Sequence, residues 1–360
     1  MPPSREETAR SRGEGADVDF GIFDHLDQNG RGLGVLLEER LKLVELVEQQ
    51  GFYGYHLAEH HSTPLGVVPS PSVFLASAIQ RTTRIMLGPL VYVLPLYHPL
   101  RLYEEVCMLD HLSKGRLMLG VGRGGALLEH ERYGIEPATA SLRYHEAFAV
   151  LMRAFKEDVL NFEGEFFKYQ DYLVQAQPLQ RPHPPIWYGA PSAEAILWGV
   201  SLGINVVSLG PASRAKEIAD RYRKEWADLG RRPASLPRIG ITRHIVVAET
   251  DAAAEKLARR AYAPWRAAIE YLWKHARTDF TLKAIYPQTF AELAEIGHGV
   301  AGSPATVRAY LENLEQEAGV NYVLGQMIFG DMSFDEAASS IRLFGREVMP
   351  AFAKKPALAT

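Results

Sequence analysis

Short apolar runs rich in β-forming residues alternate with longer segments of helical period along nearly the whole chain. The run "VDFGIF", which starts at Val18, precedes "LLEERLKLVELVEQQG", and "GYHLAE" precedes "PSVFLASAIQRTT". The same order repeats through "IMLGPLVYVL", "RLMLGVG", "IWYGA", "INVVSLG", "RIGITRHIVVAE" and "NYVLGQMIF". Such alternation is typical of a parallel sheet covered by helices. Eight strands with no long polar linker between them predict an α/β fold, a single (β/α)8 TIM barrel with insertions.

The expected domain organisation is one barrel flanked by two tails. We predict a flexible N-terminal tail over residues 1–17, the barrel over 18–352 and a C-terminal tail over 353–360. A turn signal and a Pro-rich end predict a hairpin excursion over about 160–184. The segment over about 276–302 fits no βα unit, and aromatic residues lie in or near it. It is either a lid or substrate-pocket wall, or a helical decoration.

Charge and composition limit the class of partner. The 39 basic and 43 acidic residues nearly balance, so nothing indicates binding to nucleic acid or to an anionic membrane, and a small molecule is the expected partner. The most apolar run is broken by Gly and Pro and is shorter than the ~20 residues of a membrane span. The N-terminal residues lack the apolar core of a secretory signal, so we expect a cytoplasmic protein. The lone Cys107 excludes an internal disulfide framework and suits a reducing compartment.

The stretch "AEHHS" follows the second predicted strand, at the rim where barrel enzymes carry their functional groups. Neighbouring residues of an extended segment point in opposite directions, so His60 and His61 are poorly arranged to hold one ion, and we predict no metal site. One of the two imidazoles can face the mouth as a proton-transfer group near neutral pH. Spacing does not decide which one, and a hydrogen-bonded structural histidine is the alternative for both.

Two further stretches predict an anion site. In "LGVGRGG" the glycines allow backbone to approach a ligand closely and Arg123 can bind a phosphate; a Gly-rich turn with a solvated Arg is the alternative. In "YGAPSAEAI", Ala190 ends a strand, and Pro191 and Ser192 precede a helix whose free N–H groups can bind an anion. Simple N-capping by Ser192 is the alternative there. Because these stretches follow the fourth and fifth strands, Arg123 and the helix start would converge on one phosphate.

These residues, in this order, resemble the bacterial luciferase-like family of flavin-dependent monooxygenases. The resemblance covers most of the chain from about residue 18 to 352. It is carried by "GFYGYHLAEHHSTP", "IMLGPLVYVLPLYHPLRLYEEVCMLDHLSKGRLMLGVGRG", "QRPHPPIWYGAPS", "GSPATVRAYLENLEQEAGVNYVL" and "EVMPAF".

The resemblance implies a TIM barrel that binds FMN at the carboxyl ends of its strands, where reduced flavin reacts with O2 to give a C4a-peroxyflavin. By position, His60 matches the family's catalytic histidine. Leu90 and Val91 match a pair whose backbone lies against the isoalloxazine ring, sometimes through a non-proline cis peptide. Arg123 matches a ligand of the flavin phosphate. The loop that receives the same phosphate is matched by Ala190, Pro191 and Ser192.

Two departures from the luciferases themselves bear on the substrate. A reactive Cys of those enzymes is replaced here by Gly122, and an acidic residue of the phosphate loop by Pro191. Both argue against light emission and an aldehyde substrate. The phosphate must then be held mainly by Arg123, Ser192 and backbone donors.

The resemblance therefore predicts a two-component monooxygenase that uses O2 and FMNH2 from a separate flavin reductase, although some relatives use NAD(P)H directly. Its substrate would be small and mostly apolar, and its assembly a homodimer packed through the helices after the second and third strands. One alternative is hydride transfer with the deazaflavin F420 on the same barrel. Another is a flavin-binding barrel without turnover.

Overall fold

The computed structural model describes residues 18–275 and 282–353. The predicted N-terminal tail, all but the first residue of the predicted C-terminal tail, and residues 276–281 of the predicted insertion lie outside these ranges. In chain order the strands are β1 (Asp19–Asp24), β2 (Gly54–Leu57), β3 (Met86–Pro89), β4 (Tyr92–Val93), β5 (Leu119–Gly122), β6 (Val159–Glu163), β7 (Lys168–Leu173), β8 (Ile186–Gly189), β9 (Asn205–Ser208), β10 (Ile239–Val247), β11 (Gly299–Gly302) and β12 (Tyr322–Gln326).

Helices connect these strands and cover the outside of the sheet. They are α1 (Leu33–Gln49), α2 (Pro71–Gln80), α3 (Pro99–Ser113), α4 (Leu127–Arg132), α5 (Ala140–Ala154), α6 (Leu197–Val200), α7 (Ala212–Asp228), α8 (Asp251–His275), α9 (Phe290–Glu295), α10 (Pro304–Ala318) and α11 (Phe334–Leu343). Over the described ranges, none of the helices has both the length and the apolar character that crossing a membrane requires.

The main sheet closes into a barrel. Its strand order is β3-β2-β1-β12-β10-β9-β8-β5-β4, and neighbouring strands are parallel. Because β3 and β4 are consecutive pieces of one strand, separated by Leu90 and Val91, the two ends of this order are the same strand. A parallel bridge between Leu87 and Leu117 lies where they meet. The predicted (β/α)8 TIM barrel is confirmed, and each of its strands corresponds to one of the apolar runs of the sequence.

Large side chains fill the lumen of the barrel below its carboxyl-terminal mouth. Alternate residues of a strand point inward, and one buried cluster contains Met118, which precedes β5, Trp187 of β8, and Tyr322 and Leu324 of β12. Tyr322 fits because Gly21 faces it: a Cβ at Gly21 would lie 1.9 Å from the tyrosine hydroxyl oxygen. With the lumen packed, the space for a ligand lies at the rim.

A hairpin stands outside the barrel between α5 and β8. Its strands β6 and β7 pair antiparallel. The hairpin and the chain after it are fastened to α3, since Tyr172 donates a 2.9 Å hydrogen bond to Glu104 and Tyr103 donates a 2.7 Å bond to the carbonyl of Ala176. This element therefore packs against the helical layer outside the barrel.

The described part of the insertion, residues 282–302, packs against α8 and β10. It contains α9, which begins with a capping box formed by Thr289 and Glu292. It also contains β11, which pairs in parallel with the last residues of β10. The Tyr262 hydroxyl of α8 donates a 2.9 Å hydrogen bond to the carbonyl of Pro287. β11 was not among the predicted strands, because its four residues, "GVAG", have little β-strand character.

Candidate active site

The inner face of the barrel ends in a ring of mouth residues. Along an extended strand, the residue two positions after an inward-facing core residue points to the same side. At the ends of four strands these residues are His25, His60, Gly189 and Gln326. The imidazole rings of His25 and His60 stack with centroids 5.6 Å apart and planes 12° from parallel. The ends of the first and second strands therefore bring two histidines together, and glycine occupies the rim at the fifth strand.

His60 has one ring nitrogen engaged and one free. Its Nδ1 lies 3.0 Å from Oε1 of Glu129, and the side chain is 22% exposed. Among the described residues, no hydrogen bond is formed to its Nε2. The loop that follows passes close behind it, because a Cβ at Gly66 would lie 2.8 Å from the Cβ of His60. The imidazole is thus fixed on one side and open on the other, which is the arrangement that proton transfer requires.

Glu129 is the buried carboxylate on which this arrangement depends. It belongs to the short helix α4 and is 2% exposed. The same Oε1 that faces His60 also accepts the backbone N–H of His61 at 2.8 Å. Burial by itself would raise the pKa of Glu129, but the charge of His60 and the hydrogen bonds from His60 and His61 outweigh burial and hold that pKa below its usual value. Sequence reasoning missed this residue, since one Glu in the polar run "LLEHER" carries no sign of burial.

His61 is buried, and both of its ring nitrogens have partners. Nε2 lies 2.7 Å from Oε1 of Glu59, and Nδ1 lies 2.8 Å from the hydroxyl of Tyr133. A carboxylate accepts and a phenol donates, so the neutral ring carries its proton on Nε2. The other carboxylate oxygen of Glu59 accepts the backbone N–H of Val93 at 2.9 Å. His61 therefore has no free nitrogen for chemistry, whereas His60 has one.

The third strand of the barrel consists of β3 and β4, and it changes direction between them at Leu90 and Val91, where the peptide bond is cis. The glycines of the fourth strand make room for this segment. A Cβ at Gly120 would lie 2.0 Å from the carbonyl oxygen of Pro89, and one at Gly122 would lie 2.5 Å from Cγ2 of Val91. These two glycines thus accommodate protein backbone and side chain from strand three. Close approach of a ligand to this pair stays a prediction.

Arg123 directly follows β5, the fourth strand of the barrel, and is exposed. Its own carbonyl accepts a hydrogen bond from Nε2 of His130 at 2.9 Å, which holds the backbone in place. The guanidinium makes only a 3.4 Å contact with the carbonyl of Gly124, and over the described ranges no carboxylate pairs with it. A Cβ at Gly125 would meet no atom within 4 Å, so space is open beside Arg123. A cation with unused donors next to open space suits an anionic ligand.

The fifth strand of the barrel, β8, brings Ala190, Pro191 and Ser192 to the part of the rim where Arg123 lies. β5 and β8 pair in parallel with Val121 opposite Tyr188, and burial raises the pKa of Tyr188 while the nearby charge of Arg123 lowers it. Ala190 is buried and its N–H bonds to the carbonyl of Val207.

The helix expected after Ser192 is shorter than predicted. It is a single 3-10 turn over Glu194–Ile196 that continues into the four residues of α6. Ser192 Oγ accepts the N–H of Ala195 at 3.3 Å, although the N-cap position of this turn is Ala193. The helix-terminus contribution to anion binding at this loop is correspondingly small.

Buried aromatic and imidazole rings form the opposite side of the mouth, a feature that sequence reasoning missed. Trp265 of α8 contacts His25 at 5.8 Å and His244 of β10 at 4.3 Å between ring centroids. Burial, and then the charges of His60 and His244, lower the pKa of His25 well below its usual value. Burial also lowers the pKa of His244 to about 3. Both rings are therefore neutral near pH 7, and together with Trp265 they form a buried, uncharged layer behind the mouth.

A metal site is not found in the described residues. Nowhere in ranges 18–275 and 282–353 do three His, Cys, Asp or Glu side chains cluster in a way that would hold an ion. His60 and His61 use their carboxylate partners separately, Glu129 for one ring and Glu59 for the other.

Known proteins resemble this chain over nearly its whole length. The family model for luciferase-like monooxygenases matches residues 18–322. An uncharacterized protein, y4wF, of Sinorhizobium fredii is 40% identical over 331 residues, which are 92% of this chain and 96% of that protein. The oxygenase component of a flavin-dependent trigonelline monooxygenase from Acinetobacter baylyi is 26% identical over 93% of this chain and 96% of its own length.

A solved structure gives the same result for the fold. The monooxygenase RslO1 of Streptomyces bottropensis superposes with a TM-score of 0.84 at 25% identity, over 93% of this chain and all of that one. With a family model spanning most of the barrel and these relatives covering both chains almost completely, the protein belongs to the luciferase-like monooxygenase family.

Proposed function

We propose that this protein is the FMN-dependent oxygenase of a two-component system, which uses FMNH2 and O2 to oxygenate a small, mostly apolar organic substrate. The observation that carries the proposal is the state of His60. Its Nδ1 is held by a buried carboxylate, and within residues 18–275 and 282–353 its Nε2 has no hydrogen-bond partner and Arg123, on the same rim, has no carboxylate partner. A proton-transfer group and an anion-binding group share one barrel mouth.

The residues at the fourth and fifth strand ends fit the phosphate of FMN. We propose that Arg123 binds it through its guanidinium, that the Ser192 hydroxyl and the backbone N–H groups after Pro191 add donors, and that Ala190 and Pro191 shape the loop around it. Open space supports this assignment, because a Cβ at Gly125 or at Gly189 would meet nothing within 4 Å. The rest of the cofactor would extend across the rim, with its flat ring against the backbone of Leu90 and Val91.

Reduced FMN, when bound, supplies the electrons for activating O2. The chain supplies the proton chemistry and the environment. His60 accepts or donates a proton at Nε2, and it does so from a fixed position because Nδ1 is anchored. The buried rings of Trp265, His25 and His244 pack behind the mouth and keep water away from that side of the site.

Two partners follow from this proposal. Because the trigonelline enzyme is named as an oxygenase component, we propose that a separate flavin reductase delivers FMNH2. We also propose a homodimer through α2 and α3. Val73 of α2 and Met108 and Leu112 of α3 are exposed apolar side chains, and the last two border a surface groove of about 730 Å³.

Cofactor binding and oxygen reactivity test the function together. Purified protein would be titrated with FMNH2 and with reduced F420 under anaerobic conditions and then mixed with aerated buffer in a stopped-flow spectrometer. We expect tighter binding of FMNH2 and a return of oxidised-flavin absorbance that is slower than for free FMNH2. Preference for F420 without reaction with O2 would favour hydride transfer. Tight FMN binding with reoxidation as fast as in buffer would indicate a binding protein.

A further inference from the structure

We propose that Glu129 is the positioning residue for His60: its buried carboxylate accepts a hydrogen bond from Nδ1–H and leaves Nε2 as the nitrogen that exchanges a proton at the mouth. The inference rests on the proposed function for the role of His60, but the geometry is independent of the cofactor. A histidine nitrogen that donates to a fixed carboxylate determines the tautomer of the whole ring. Without such a partner the free ring would divide its proton between both nitrogens.

The contact has the features that such a role requires. Oε1 of Glu129 lies 3.0 Å from Nδ1, and the carboxylate is nearly inaccessible to water, so competition from solvent is small. The backbone N–H of His61 bonds to the same oxygen at 2.8 Å. Since that N–H belongs to the residue after His60, the carboxylate fixes both the ring and the main chain that carries it.

The charge of Glu129 adds a second effect. When Nε2 takes up a proton the ring becomes a cation, and a carboxylate at hydrogen-bond distance stabilises that cation. The proton moves between Nε2 and a group at the mouth, Nδ1 keeps its own proton, and Glu129 stays ionised throughout. Protonation of Glu129 is disfavoured because its pKa lies below the usual value.

Other charged or titratable groups near His60 do not replace Glu129. From the first strand, His25 stacks on the ring, and its lowered pKa keeps it neutral near pH 7. From the same loop, Glu59 pairs with His61 and with the backbone of Val93. From α4, His130 bonds to the carbonyl of Arg123. In the described part of the chain, Glu129 is the carboxylate that pairs with the His60 ring.

Histidine NMR on the full-length protein tests the proposal without any cofactor. In wild-type protein with isotope-labelled histidines, signals of His60 are assigned by their loss in His60→Gln. We expect the neutral ring to carry its proton on Nδ1. A neutral ring protonated on Nε2 would overturn the proposal, and this measurement requires no variant of Glu129.

The Glu129→Gln substitution then separates the effect of the carboxylate's charge from the effect of its shape. Glu129→Gln keeps an acceptor oxygen for Nδ1–H and for the His61 N–H but removes the charge, so we expect the His60 titration midpoint to move to lower pH by about one unit or more. Glu131→Gln, an exposed change on the same helix, should leave the midpoint unchanged. An unmoved midpoint in folded Glu129→Gln protein would show that Glu129 only braces the loop.

Activity adds a readout that distinguishes this inference from the proposed function. If FMN is the cofactor, Glu129→Gln should shift the pH profile of FMNH2 oxidation by O2 to the same extent as the midpoint, while the Kd for FMN stays within about twofold. Failure of FMN to bind any form of the protein would refute the proposed function and leave the NMR result intact. A profile that stays in place while the midpoint moves would refute the catalytic relevance of Glu129.

Discussion

The backbone N–H of Val93 donates a 2.9 Å hydrogen bond to Oε2 of Glu59, which joins the end of the second barrel strand to the third just beyond the Leu90–Val91 turn. The other oxygen of Glu59 holds the ring of His61. One buried carboxylate therefore supports both the histidine loop and the segment against which we place the flavin ring.

Removing this carboxylate should loosen both segments. In Glu59→Ala the Val93 N–H and the His61 Nε2–H lose their acceptor while buried, and we expect the free energy of unfolding to fall by about 3 kcal/mol. Urea denaturation followed by circular dichroism measures the loss, with the exposed Glu131→Ala as the control. A loss as small as that of the control would contradict the bracing role of Glu59.

Replacing His60 and His61 by alanine, one at a time, should separate a contribution to stability from a contribution to the reaction of FMNH2 with O2. His61→Ala removes one buried and one part-buried side-chain hydrogen bond, so stability should fall by about 2–3 kcal/mol. His60→Ala should leave FMN affinity within about twofold and alter the rate of FMNH2 oxidation about tenfold or more. Fluorescence titration and stopped-flow absorbance measure these quantities. An unchanged oxidation rate in His60→Ala would remove its proposed role.

Arg123 should recognise the phosphate of the cofactor and not its ring. We expect Arg123→Ala to weaken FMN binding by about 10–100-fold, because a charge-assisted hydrogen bond contributes about 1.5–3 kcal/mol. Riboflavin lacks the phosphate, so its affinity should be the same in both proteins. Arg132→Ala, an exposed change on α4, is the control. Equal losses for FMN and riboflavin would mean that Arg123 acts in some other way.

Two glycines of the fourth strand end should respond differently to the same added methyl group. Gly122→Ala would bring a Cβ to 2.5 Å from Val91, whereas Gly125→Ala would meet nothing within 4 Å. We expect Gly122→Ala to lower stability by about 1–3 kcal/mol and Gly125→Ala to leave it unchanged. If the open space holds the phosphate, Gly125→Ala should still weaken FMN binding. Thermal unfolding and FMN titration of both variants check this pair of outcomes.

A buried carboxyl at the first strand end should make stability depend on pH. Burial raises the pKa of Asp27 from its ordinary 3.8 to about 7, against the opposing charge of Arg40. The folded protein thus keeps a proton that the unfolded chain releases. Its stabilising contribution is complete below about pH 4 and is lost as pH rises through about 7.

The Asp27→Asn variant isolates this contribution. Relative to Asp27→Asn, wild-type protein should lose up to about 4 kcal/mol of unfolding free energy between pH 4 and pH 8. Urea denaturation at several pH values measures the difference. Parallel pH dependence of the two proteins would mean that Asp27 ionises normally in the folded state.

The periodicity of the chain was sufficient to predict its barrel. Apolar runs with β-forming residues and intervening helical segments are local properties, and they located all eight barrel strands and the closed parallel sheet that the structure contains. Rim positions for His60, Arg123 and Ser192 followed from the rule that strand ends meet at one mouth. Resemblance to a family, and not spacing, selected His60 over His61.

Tertiary structure decided what each of these side chains is able to do. His60 and His61 are identical neighbours in sequence. In the part of the chain that the structure describes, Glu59 and Tyr133 bind both ring nitrogens of His61, whereas Glu129 binds only Nδ1 of His60. Glu129 lies 69 residues after His60, and no local pattern reports a contact over that separation. Chain order fixes which residues reach the mouth, but hydrogen-bond partners from distant segments determine which nitrogen stays open there.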